Sequence, residues 1–342
     1  MFDRSINADA PPYKILQRSD WIDTAKGLAI LLVVFGHAWR GVNEAGLIPP
    51  ALFHAVDSRI YAFHMPVFFA LSGLLVAGSL WRATPRSFTV SRVSRLIWPM
   101  VVWTYIFLGV KLAAGSVANQ PITFTDMLVL PIPGHLHLWF LWALYVLQMA
   151  LLLTRPMMSS GRYSTVGLLG LAVGAIALAL WPLPDIFYRL IGPALLNAPY
   201  FVLGIVLSQT LDLSTLNRTR RMGALAVFLL VVVAYPFLPQ SPVILLGGSL
   251  VLTLCFLTVC AGLSQDIGPQ LSTWLTRLGI ASMAIYLAHT IFSAAMREVL
   301  FAIGVTSLSW HVAIGFGIGI LGPLILLWCA QKIGAVRLLG FK

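Results

Sequence analysis

The stretch from Asp23 to Gly41 places a histidine inside an otherwise apolar run, DTAKGLAILLVVFGHAWRG. Lys26 and His37 are 11 residues apart. On an α-helix this spacing is three turns plus about 20°, so both side chains point to one face with a rise of about 16 Å. Ionisable groups are costly in lipid and usually line a cavity, so we expect His37 to transfer protons there and not merely to pack. An imidazole, with an ordinary pKa of about 6.5, suits a base near neutral pH.

The polar face continues outward and includes a second histidine. Arg40 follows His37 by one helical turn. His64 lies on the outer half of the next apolar run, at a depth within about one turn of His37. Function and plain packing are equally open for His64. The acids that could orient these groups are Asp23, Glu44 and Asp57.

Two further histidine stretches are candidates for chemistry. Tyr286 and His289 share one face of the run LGIASMAIYLAHTIF, and His289 is either catalytic or a helix–helix hydrogen-bonding group. His135 and His137 form an HLH pair that could bind a sugar or a metal. HxH is a weak metal signal without an acidic third ligand nearby, so we expect no metal site.

The loop RATPRSFTVSRVSRLIWP is the strongest basic element. Arg92 and Arg95 are three residues apart and, if helical, share one face at the membrane surface, where two guanidinium groups can grip a phosphate. Ordinary positive-inside topology is the competing explanation. No Walker-type or GxGxxG loop accompanies the two arginines, which argues against a nucleoside triphosphate as their ligand. The sequence has no GxSxG or HExxH motif, which argues against serine-triad and zinc-protease chemistry.

The elements that must position these residues are membrane-spanning helices. Of the 342 residues, 59% are hydrophobic and 10% are charged, whereas soluble proteins have about 25% charged residues. The sequence predicts an all-α polytopic membrane protein with about ten transmembrane helices. The predicted spans are 24–42, 59–80, 96–114, 136–154, 164–181, 193–210, 223–238, 242–263, 279–298 and 309–331.

The basic residues predict the orientation. With the N-terminus inside, 17 of the 22 lysines and arginines lie on the inner side, so both termini are expected to be cytoplasmic. Residues 1–20 are then an N-terminal tail without a signal peptide, 21–334 the membrane domain and 335–342 a short C-terminal tail. The same asymmetry explains the net charge of +11, so we expect no nucleic-acid binding. Oligomeric state is not readable from the sequence.

Five stretches carry a resemblance to a known family. They are, in order, WIDTAKGLAILLVVFGHAWRG, FHMPVFFALSGLL, SRVSRLIWP, HLWFLWALY and SMAIYLAHTIF. Over about residues 20–335 the chain resembles the acyltransferase-3 family of integral membrane acyltransferases, and within it the sugar O-acetylases of the fucose 4-O-acetylase type.

The resemblance implies acyl transfer from cytoplasmic acyl-CoA, with acetyl-CoA as the expected donor. The implied acceptor is a saccharide or glycolipid at the outer side of a bacterial inner membrane. Membrane lipids are expected to surround the protein. The resemblance places the family's essential histidine at His37, its basic residue at Lys26 and its R-x-x-R motif at Arg92 and Arg95. Lysine replaces the usual arginine, which keeps the charge but loses the bidentate fork. Some members carry an SGNH-type esterase domain, which we do not expect here because the sequence ends soon after the tenth span.

Two mechanisms and two rival functions remain open at this point. His37, with His64 and His289 as further catalytic candidates, can take the proton of an attacking hydroxyl, or His37 can carry the acyl group itself. We favour direct transfer, because nothing in the sequence marks a covalent step. The rivals are a transporter or flippase without acyl transfer, and a non-catalytic membrane partner in polysaccharide assembly.

Overall fold

The computed structural model describes residues 20–115, 121–134, 136–159 and 161–341. Within these residues the chain is almost entirely helical, with one hairpin of strands β1, Met158–Ser159, and β2, Arg162–Tyr163. The helices are α1 Asp20–Glu44, α2 Pro50–Tyr61, α3 His64–Arg82, α4 Pro85–Arg92, α5 Trp98–Ala114, α6 Trp139–Leu153, α7 Thr165–Leu180, α8 Asp185–Thr210, α9 Arg218–Ala234, α10 Pro242–Asp266, α11 Pro269–Ile280, α12 Ser282–Ala302 and α13 Leu308–Lys332.

The predicted all-α polytopic fold is confirmed, with a difference in the number of long spans. Among the described residues, 8 helical segments are long and apolar enough to cross a membrane, and the bent pair α11–α12 makes a ninth. The predicted span 164–181 corresponds to α7, an apolar helix of 16 residues. A span of the hydrocarbon core needs about 20 residues, so α7 is short for a straight crossing.

Helix α1 lies at the centre of the bundle. It contacts α2, α3, α10, α11, α12 and α13, and most of its apolar window is buried, whereas α9 lies almost wholly on the outside. Glycines allow the closest crossings: a methyl group at Gly279 would clash with the carbonyl oxygen of Asp23, and one at Gly73 with that of Phe201. Small residues give membrane helices their contact, since lipid supplies no hydrophobic force between them.

The predicted ninth span is broken near its start. Helices α11 and α12 meet at Ala281 with a bend of 79°. Ala281 donates its backbone N–H to Arg277 at the end of α11, and α12 then begins at Ser282. The bend makes α12 a separate helix that carries Tyr286 and His289 beside α1.

The residues after α13 fold back onto the bundle. Gly334, at φ 72°, follows the end of α13, and the chain then turns through Phe341, which is 9% exposed. The predicted C-terminal tail 335–342 is therefore packed against α5 as far as it is described.

Candidate active site

Three imidazoles from distant parts of the chain lie together at the centre of the bundle. The ring centroid of His37 on α1 lies 5.0 Å from that of His289 on α12 and 5.7 Å from that of His137. The rings of His137 and His289 are 5.2 Å apart. His137 sits in the 3₁₀ turn Leu136–Leu138 that leads into α6. We refer to His37, His137 and His289 as the imidazole cluster.

The helix backbone fixes the protonation pattern of two buried histidines. Nδ1 of His289 lies 2.9 Å from the carbonyl oxygen of Ile285 and 2.8 Å from that of Tyr286. Nδ1 of His64 lies 2.8 Å from the carbonyl oxygen of Ile60. Because a carbonyl oxygen only accepts, we assign the N–H to Nδ1 and the lone pair to Nε2 in both rings. The expected helix–helix hydrogen bond of His289 is instead a bond to its own helix.

Several buried polar atoms around this cluster lack a hydrogen-bond partner among the described residues. Within the described part of the chain, Nε2 of His64, His137 and His289 has no hydrogen-bond partner, and neither has the hydroxyl of Tyr61 or Thr290. Buried polar atoms are nearly always satisfied, so their grouping at one place points to a polar ligand or water. The hydroxyl of Tyr286 donates to the carbonyl of His137, which ties the turn before α6 to α12.

A cavity of about 510 Å³ reaches the cluster from the C-terminal end of α1, the end predicted to face outward. The cavity is lined by His37, Tyr61, His64 and His137. The fully buried His289 packs against His37 and His137. The cavity wall also carries the charged side chains Arg40, Glu44, Lys111, Arg297 and Glu298. The cavity therefore joins a buried group of imidazoles to a charged rim.

Asp57 orients a guanidinium group and does not touch the imidazole cluster. Its two carboxylate oxygens accept from Nε and Nη2 of Arg40 at 2.7 and 2.9 Å. The Arg40 guanidinium lies over the Tyr61 ring, 3.2 Å from its centroid. The Tyr61 ring packs edge-on against the His64 ring, with centroids 4.4 Å apart, and its centroid lies 6.5 Å from that of His37. A row of side chains thus runs from Asp57 through Arg40 and Tyr61 to His37.

The predicted donor-binding cations lie elsewhere. Lys26, Arg92 and Arg95 do not line the cavity. Lys26 donates to Asp23 at 3.2 Å, near the N-terminal end of α1, so Asp23 orients Lys26. Glu44 lines the cavity at the other end of α1.

Arg92 and Arg95 differ in their surroundings although they are close enough to interact electrostatically. Arg92 is half-buried, donates to the hydroxyl of Ser79 at 2.6 Å and packs over the ring of Phe88. Arg95 is exposed on a π-helical turn, Val93–Ile97, between α4 and α5. The expected α-helical face shared by the two arginines is therefore interrupted by this turn.

Sequence reasoning missed His137 and Tyr61 as members of the site. The HLH spacing indicates only a sugar or metal ligand at His137, and no motif marks Tyr61. Among the described residues no group of three or more histidines, cysteines or acids is placed to hold a metal ion. His135, the other half of the HLH pair, lies outside the described residues.

Comparison with known proteins places this site in a family. Residues 19–328 match the acyltransferase-3 family, described as an acyltransferase domain. The chain is 31% identical over 202 residues to nodulation protein NolL of Sinorhizobium fredii, covering 56% of this chain and 49% of that protein. It is 27% identical over 197 residues to nodulation protein NolL of Mesorhizobium japonicum, covering 55% and 47%.

The chain thus spans about half the length of these curated relatives. No solved structure matches it. The family match, in contrast, covers nearly all of the membrane bundle, including the helices that carry the imidazole cluster and the two arginines. The protein is therefore an integral membrane member of the acyltransferase-3 family.

Proposed function

We propose that the protein is an O-acyltransferase that moves an acyl group, in the simplest case acetyl, from cytoplasmic acyl-CoA to a hydroxyl of a saccharide or glycolipid at the outer side of a bacterial inner membrane. The observation that carries this proposal is the imidazole cluster at the inner end of a cavity whose rim lies at the predicted outer side. A hydroxyl group entering that cavity meets an imidazole base near neutral pH.

His37 is the proposed general base, because it lines the cavity and belongs to the cluster. The acceptor hydroxyl gives its proton to His37 while its oxygen attacks the thioester carbonyl carbon. The tetrahedral intermediate then collapses, the carbon–sulfur bond breaks, and the CoA thiolate takes the proton from the imidazolium. The products are the acylated acceptor and CoA thiol, so no oxidant or further reactant is needed.

His289 and His64 support this step in different ways. His289 lies beside His37 with an open Nε2 lone pair, which can accept a hydrogen bond from a protonated His37 or from the substrate. His64 also has an open Nε2 lone pair and lines the cavity at the side of Tyr61. His137 completes the cluster from the opposite wall.

The acceptor side is proposed from the shape and polarity of the cavity. Its volume of about 510 Å³ falls in the range of small-molecule sites and is large enough for a sugar ring. Its wall combines aromatic rings, among them Tyr61 and Trp139, with the hydrogen-bonding groups of Arg40, Glu44 and Arg297. A polyhydroxylated acceptor matches this mixture better than an apolar lipid tail does.

The donor side is proposed from the inner cations. Arg92, Arg95 and Lys26 would hold the phosphates of CoA, with Arg95 as the most accessible of the arginines. The pantetheine arm would then extend toward His37, about 16 Å along α1 from Lys26. These cations do not line the cavity, so the proposed donor path enters the cluster from the side of Lys26.

The direct test is acyl transfer by the purified chain in lipid nanodiscs. With radiolabelled acetyl-CoA and a mixture of neutral oligosaccharides, we expect CoA thiol release together with acetylated sugar detected by mass spectrometry. Movement of sugar or lipid across vesicle membranes, without any thioester cleavage, would instead support the transporter. Acceptor acylation in cells that persists with His37→Ala would support the non-catalytic partner.

A further inference from the structure

The segment Ile333–Phe341, which we call the strap, binds the start of α5. The indole Nε1 of Trp98 donates to the carbonyl of Leu338 at 2.9 Å, and that of Trp103 donates to the carbonyl of Leu339 at 2.9 Å. The ring of Phe341 packs on Trp103 with centroids 5.7 Å apart. Each indole N–H thus joins residues that are far apart in the sequence, by 240 and 236 positions.

The strap rests on the residue that interrupts the helix. Pro99 has no N–H, so it cannot bond the carbonyl of Arg95, and its ring would clash with that carbonyl in a regular α-helix. The chain widens at this point into the π turn Val93–Ile97, in which the N–H of Trp98 bonds the carbonyl of Val93. π turns are rare and often occur at functional sites. In this protein the π turn carries the exposed Arg95.

The close contact between the strap and Pro99 requires glycine at position 340. Gly340 has φ +68°, a conformation that other residues adopt with strain. A Cβ at this position would lie 2.5 Å from Cβ of Pro99. The strap therefore approaches Pro99 as closely as a backbone can, and any side chain at 340 would push it away.

We propose that the strap positions the π turn and thereby holds Arg95 ready to bind the phosphates of the acyl donor. Gly340, Phe341, Trp98 and Trp103 act as positioning residues, since none of them needs to touch the donor. This inference rests on the proposed role of Arg95 in donor binding. A strap that only stabilised the fold would affect stability and all kinetic constants together, whereas a positioning strap affects donor affinity first.

The test compares binding of acetyl-CoA to full-length variants in nanodiscs by isothermal titration calorimetry, with steady-state kinetics beside it. Phe341→Ala, Gly340→Ala and Trp98→Phe each remove one part of the contact. We expect each to raise the Kd for acetyl-CoA by about five- to tenfold while kcat stays within about twofold of the wild-type value. Leu338→Ala is the matched control, because its side chain is 63% exposed and only its backbone carbonyl binds Trp98.

Arg95→Ala separates failure of this inference from failure of the proposed function. If Arg95→Ala binds acetyl-CoA like the wild type, the donor site itself is misplaced. If Arg95→Ala binds weakly but the folded strap variants bind normally, or lose kcat without any change in Kd, the strap inference is wrong. If Gly340→Ala does not fold, Trp98→Phe still tests the strap inference. It keeps an aromatic ring and loses only the hydrogen bond to Leu338.

Discussion

His37, His137 and His289 come from three segments that are far apart in the sequence, whereas Arg92 and Arg95 are neighbours on one short basic stretch. The three histidines meet through the packing of α1, α12 and the turn before α6, and two of the rings are fully or almost fully buried. The arginines are close together because they are near in sequence, and Arg95 stays exposed. One region is thus assembled by tertiary packing, whereas the other is one continuous stretch that distant contacts, such as Arg92 with Ser79, help to hold.

This difference predicts a division of labour. Buried imidazoles with unpartnered lone pairs are suited to proton transfer, which needs fixed geometry but little net binding. Guanidinium groups are suited to binding phosphates through charge-assisted, often bidentate hydrogen bonds. We therefore expect substitutions in the imidazole cluster to reduce kcat and substitutions among the inner cations to raise the KM for the donor.

Among the variants that keep His37, the largest effect is expected at His289. His289→Gln keeps a polar side chain of similar size but removes the imidazole that lies 5.0 Å from His37. We expect kcat to fall by about 100-fold or more, with the KM for acyl-CoA unchanged. Measuring both constants at saturating acceptor checks this. His54→Gln, an exposed histidine on α2 outside the cavity, serves as the control and should match the wild type.

A raised KM for the donor in His289→Gln, with normal kcat, would erase the distinction between the two regions. It would place the imidazole on the donor path and remove it from the chemical step.

A smaller effect is expected at the inner arginines. Arg95→Ala removes an exposed guanidinium and should raise the KM for acyl-CoA by about tenfold, with kcat within about twofold. Arg92→Ala should act in the same direction and also free Ser79. The control is Arg86→Ala, an exposed arginine on α4. If Arg86→Ala weakened donor binding as much as Arg95→Ala, general surface charge and not a defined site would explain the effect.

The smallest effect is expected at the rim. Asp57→Asn removes the charge that holds the Arg40 fork against Tyr61. Because the pair is partly exposed, its loss should raise the KM for the acceptor only about threefold, without changing the KM for acyl-CoA. Titration of the acceptor at saturating donor measures this, with Asp185→Asn, an exposed acid at the start of α8, as the control. A changed donor KM would argue against placing Asp57 on the acceptor side.

Hydropathy and charge were enough to predict the helical bundle, since each apolar run must satisfy its backbone hydrogen bonds internally in lipid. Hydropathy and charge could not predict the bend at Ala281, because no proline or glycine pair marks it. The nearby Gly279 is explained by its close contact with the backbone of α1 at Asp23. The short α7 was also counted as a full span, since composition does not measure the length of the helix.

Part of the geometry of the candidate site could be inferred from the sequence. The spacing of Lys26 and His37 on α1 followed from helix geometry alone. His137 was missed as a cluster member because its neighbour relations depend on the turn before α6, where Tyr286 holds its backbone. The π turn had a readable signal in Pro99, four residues after Arg95, but its partner Gly340 is brought there only by the fold.

The central claim, that the imidazole of His37 takes the proton of the acceptor hydroxyl, is tested most directly by single-turnover CoA release in nanodiscs. Wild type, His37→Ala and His54→Ala are mixed with acetyl-CoA and oligosaccharide acceptor under matched protein amounts. We predict that His37→Ala, correctly folded and still able to bind acetyl-CoA, loses about 100- to 10,000-fold in rate, whereas His54→Ala reacts normally. Acceptor-dependent release at the wild-type rate by His37→Ala would contradict the account.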